Sequence, residues 1–80
     1  MSEAIYEHAH PIILDGTTYR AYVHGAARPD GTWTGWIEFV SGTTRLRTDQ
    51  ETSQSNRDAL AYWARGLEDV YFDGALRRAR

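Results

Sequence analysis

Three turn signals of one kind divide the first half of the chain: Asp15-Gly16 between Leu14 and Tyr19, Asp30-Gly31 between Pro29 and Trp33, and Ser41-Gly42 before Arg45. Glycine supplies the positive φ that a tight hairpin turn requires, and the segments between these turns alternate in the period-2 manner of half-buried strands. The spacing predicts four antiparallel strands in an up-and-down meander, near residues 9–14, 17–27, 32–40 and 43–48.

Alternation then fixes the faces. Ala21 and Val23 share one side of the second strand, and Ile37 and Phe39 share one side of the third. A three-residue loop at Pro29, Asp30 and Gly31 sets Val23 opposite Ile37 and Ala21 opposite Phe39, so the apolar sides coincide. A two-residue loop at Ser41 and Gly42 would set Ile37 opposite Leu46, Glu38 opposite Arg45 and Trp36 opposite Arg47. A slip by one residue would send each of these side chains to the other face.

After Asp49 the period changes. Leu60, Trp63, Ala64 and Leu67 fall at i, i+3, i+4 and i+7, behind the capping candidates Thr52, Ser53 and Ser55, and the stretch meets a glycine at Gly66. This predicts one amphipathic helix packed on the inner face of the sheet. The remaining stretch reads as a short strand over Asp69 to Phe72 followed by a short helix from Asp73. Residues 1–80 thus read as a single small α+β domain, a four-stranded antiparallel β-meander with one amphipathic helix on one face and this short C-terminal strand and helix.

Composition narrows what such a domain can do. A chain of 80 residues buries only about 60% of its unfolded surface, which leaves little room for a deep cleft. There is no cysteine, so stability rests on packing without disulfides, and thiolate chemistry and Cys-type zinc sites are excluded. The N-terminal segment is acidic where a signal peptide needs basic residues, and its apolar run Ile12–Leu14 is too short for a membrane span, so a soluble cytoplasmic protein with no membrane partner is expected. The net charge of −2 disfavours non-specific binding to polyanions.

The polar constellations do not assemble into a known chemistry. His8 and His10 share one strand face, but His24 points to the other, so with Asp15 nearby they fall short of a metal-ligand set, and no metal site is expected. Asp49, Glu51, Glu68, Asp69 and Asp73 are distributed as caps and turns, and Thr52, Ser53 and Ser55 lack a base partner. No glycine-rich phosphate loop occurs. Neither catalytic residues nor a cofactor are expected, and the chain reads as non-enzymatic.

The outer sheet face is the most informative feature. Parity assigns to it Arg20, Tyr22, His24, Trp36, Glu38, Arg45 and Arg47, with Ile13 on the first strand. Of these, Arg20, Tyr22, Trp36, Arg45 and Arg47 form the candidate binding surface, which suits self-association or a protein partner. Aromatics interleaved with arginines also suit single-stranded nucleic acid, the disfavoured alternative. A third use is internal, with cross-strand pairs partly covered by the C-terminal tail. The strand, strand, strand, helix order, with residues 45–68 leading from the last strand into the helix, resembles the small HicB-type antitoxin domains in topology. The glutamate-alanine pair at that family's helix start and its glycine-cysteine turn are absent here, so the resemblance stops at topology; it implies a protein that binds and blocks a partner.

Overall fold

The computed structural model describes residues 1–80. Its six strands, all paired antiparallel, are β1 (Ser2–Glu7), β2 (Ile12–Leu14), β3 (Thr17–Ala27), β4 (Trp33–Ser41), β5 (Thr44–Arg47) and β6 (Thr52–Gln54), followed by helices α1 (Arg57–Arg65) and α2 (Asp69–Arg78). The class is α+β. The central hairpin of β3 and β4 has the expected register, with Val23 opposite Ile37 and Ala21 opposite Phe39. Its loop closes through Arg28 N donating to Thr32 O, and Asp30 Oδ1 accepts from both the amide and the hydroxyl of Thr32. At the Asp15-Gly16 turn both residues have positive φ, 51° and 78°, as the type I′ hairpin that suits twisted strands requires.

Four sheet positions hold six strands because both outer positions are broken. β1 and β2 share one edge of β3, and β5 and β6 share one edge of β4. The expected first strand over 9–14 is therefore corrected: only Ile12–Leu14 is strand, and Pro11, which has no N–H for a ladder, ends it. Ser2–Glu7 pairs with the far half of the long strand β3, and a bulge at Ile5 lets both Ile5 and Tyr6 pack against the core.

The third hairpin departs from the sequence expectation by two residues. Ser41 pairs with Thr44, so the turn is Gly42-Thr43, with Gly42 (φ 57°) at the first central position that a II′ turn reserves for glycine. Phe39 faces Leu46, Val40 faces Arg45 and Glu38 faces Arg47. An even shift leaves each side chain on its face and changes only its partner.

Asn56 caps α1, accepting from Ala59 N at 2.8 Å; Thr52 and Ser53, read as caps from the sequence, lie in β6, where they satisfy the open edge of β4. Leu60 seats α1 against the paired glycines Gly25 and Gly35, where a Cβ at either position would collide with its methyl groups. The tail is corrected too. Residues 69–78 form one helix with no strand, because Phe72, Ala75 and Leu76 at i, i+3 and i+4 all bury on the inner face. Two helices therefore cover that face, where the sequence suggested one. No helix is long and apolar enough to cross a membrane.

Candidate functional site

Parity along β3 and β4 determines what the other face of the sheet displays. The residues with fully buried side chains, Ala21, Val23, Ile37 and Phe39, point toward the helices. Arg20, Tyr22, His24, Trp36, Glu38 and Val40 alternate with them and point away, and Arg45 and Arg47 of β5 join that side. The C-terminal tail does not cover this face. It packs on the inner one, and only Arg80 returns to the sheet, exchanging backbone hydrogen bonds with Arg47 at the edge of β5.

Charge and aromatic contacts organise the outer face. Trp36 sits opposite His24, whose ring lies nearly parallel to it at 6.1 Å, and the Arg47 guanidinium lies over the indole at 4.6 Å. Arg45 Nη1 donates to Glu38 Oε1 at 2.8 Å, and Arg20 pairs with Glu7 of β1. The two arginines of β5 reach Trp36 and Glu38 diagonally, since the two-residue register shift places them one pair further along than the sequence suggested. Trp36 is 9% exposed as a result, which corrects its expected role as an open surface ring. A shallow concavity lies beside it, lined by Ala4, Tyr22, His24, Glu38, Val40 and Arg45.

The structure also joins residues that the sequence left apart. His8 and His10 both approach Asp69 at the start of α2: His8 Nε2 lies 2.5 Å and His10 Nδ1 3.2 Å from Asp69 Oδ1. Hydrogen bonds from the two imidazoles hold the Asp69 carboxyl below the usual aspartate range. The expectation that the histidines fail to converge is thus corrected for this pair; His24 stays on the outer face, 3.6 Å from Glu38. No local signal connects positions 61 residues apart, and the contact depends on where α2 docks.

A second cluster ties the other broken edge to the same helix. Glu51, between β5 and β6, accepts from the Tyr71 hydroxyl at 2.6 Å and from Arg78 Nη2 at 2.5 Å. Burial, and then the hydrogen bond to Glu51, push the Tyr71 phenol up to about 12. Both clusters fasten α2 to a gap in an edge strand. Comparison with known proteins finds no matching family model, no matching curated protein and no matching solved structure.

Proposed function

We propose that the chain is a non-enzymatic cytoplasmic interaction domain that works by protein association through the outer sheet face, in the first place with a second copy of itself. The observation that carries this is the division of the sheet. Both helices lie on one face, while on the other Tyr22, Arg20, Arg45 and Arg47 form an aromatic and arginine layer around the nearly buried Trp36. Aromatic residues and arginine are the types enriched where protein surfaces meet, and lysine, depleted there, is absent from the chain. The face also carries both signs of charge, with Glu7 and Glu38 set among the arginines. A two-fold arrangement sets this patch of mixed charge against the same patch of a second copy.

The burial of Trp36 favours protein over single-stranded nucleic acid. Base stacking needs an open ring face, and this indole lies beneath Arg47 and beside His24. Sedimentation velocity across a concentration series tests the proposal. The wild type is expected to shift from monomer to dimer with rising concentration, and Tyr22→Ala and Arg45→Glu are expected each to weaken the association at least tenfold. A monomer at every concentration up to millimolar, or a dimer indifferent to both changes, contradicts it.

A further inference from the structure

The break between β1 and β2 places more chain beside β3 than the ladder can hold. His8 N donates to Ala21 O at 2.9 Å, whereas Ile12 already faces Tyr19. Four residue steps on one strand therefore match two on the other, and the excess is expelled at Ala9–Pro11, where proline offers no N–H. A bulge of this kind re-aims side chains. In an unbroken strand His8 and His10 would stand about 6.8 Å apart and parallel; here their ring centroids are 5.7 Å apart with the planes at 83°. Both rings turn toward one oxygen of Asp69, and the three donor atoms all lie within 4.8 Å of one another.

The two imidazoles are held differently. His8 is wedged between the sheet and α2 with its ring stacked on Phe72 at 4.1 Å, and its Nδ1 is buried without a partner, so Nε2, directed at Asp69, is its one polar anchor. His10 is 70% exposed and completes the cluster from the solvent side. Beside them is a small concavity lined by His8, Ala9, His10, Pro11 and Arg20, and the Arg20 guanidinium is already paired with Glu7. Two nitrogen donors and one carboxylate oxygen are a zinc-type set. With metal-ligand bonds of about 2.0–2.2 Å, a tetrahedral centre holds its donors about 3.3 Å apart, a spacing that these side chains reach by sub-ångström to ångström adjustments.

The geometry points to a site for one zinc-class divalent cation held by His8 Nε2, His10 Nδ1 and the Asp69 carboxylate, clamping the start of α2 to the gap between β1 and β2. The cation takes the place between the three groups that the imidazole N–H protons now occupy, and its fourth position faces the concavity, open to water. Imidazole ligation selects zinc, cobalt and nickel over magnesium and calcium.

Calorimetric titration of the untagged protein with zinc, together with the visible spectrum of the cobalt form, tests the site. One cation per chain is expected to bind saturably, and cobalt is expected to show the intense absorption of a four- or five-coordinate centre. His8→Ala also removes the stacking on Phe72, so the informative variants are His10→Ala and Asp69→Asn, with unchanged circular dichroism as the check on folding. Each is expected to weaken binding at least tenfold, while His24→Ala on the outer face leaves it unchanged. Absence of saturable binding at millimolar zinc, or equal affinity in the wild type, His10→Ala and Asp69→Asn, overturns the inference and leaves the cluster as a hydrogen-bonded fastening of α2.

Discussion

Leu60 determines how closely α1 approaches the sheet, because its two methyl groups occupy the space that side chains at Gly25 and Gly35 would fill. The leucine is fully buried and cannot swing aside. Gly35→Ala is therefore expected to destabilise the fold by about 1–3 kcal/mol, as overpacking does, measured by urea denaturation. Leu60→Ala in the same chain should recover part of that loss, so the two changes will be non-additive. The apolar stripe of α1 was legible in the sequence, since Leu60 and Ala64 carry the helical period. The glycine pair beneath it was not: parity places Gly25 and Gly35 on the inner face, but says nothing of which helix residue stands above them. Trp36 shows the converse. Its face and its contact with Arg47 were legible, while the depth of its burial was not, because Arg47 stands opposite Glu38 and crosses the indole diagonally.

At the scale of elements, α2 is where local preference and tertiary packing disagree. Val70, Tyr71 and Phe72 favour a strand by composition, and Gly74 weakens a helix, so residues 69–72 read as strand from the sequence. Burial of Phe72, Ala75 and Leu76 on one stripe outweighs this. Gly74 keeps the helical conformation with no need of glycine, and an added Cβ there would meet only Arg78 Nη1 at 3.6 Å. Gly74→Ala is accordingly expected to stabilise the protein by roughly 0.5–1 kcal/mol in the same denaturation experiment. Tyr71 gives the helix a pH dependence. Its phenol titrates near 10.0 when free and at about 12 when folded, so the folded chain keeps a proton that the unfolded chain has lost. Its contribution is complete below pH 10 and disappears as pH rises through 12. The melting temperature should fall across that window, and Tyr71→Phe should flatten this part of the profile.

For the whole molecule, the existence of the three hairpins, the register of β3 with β4 and the division into two faces follow from turn glycines and alternation and could be read before the structure, while the turn of the third hairpin falls one residue later than expected. The two broken edges could not be read. They arise where β3 and β4 outrun the short strands beside them, and the gaps at His8–Pro11 and Thr48–Glu51 then receive side chains from α2. Long-range docking of this kind leaves no periodic trace, so Asp69 and Glu51 could be read only as surface carboxylates. What both the sequence and the structure place outward is the layer around Trp36. Its indole N–H signal in solution NMR reports on that face directly, with the indoles of Trp33 and Trp63, packed against the core, as internal references. On concentrating the protein from micromolar to millimolar, the Trp36 signal and the amides of Tyr22, Glu38 and Arg45 should shift together along one saturating curve, while Trp33 and Trp63 stay in place. If the Trp36 signal is unchanged by concentration, or the shifts fall on the helical face instead, the outer sheet face is not the surface through which this protein associates.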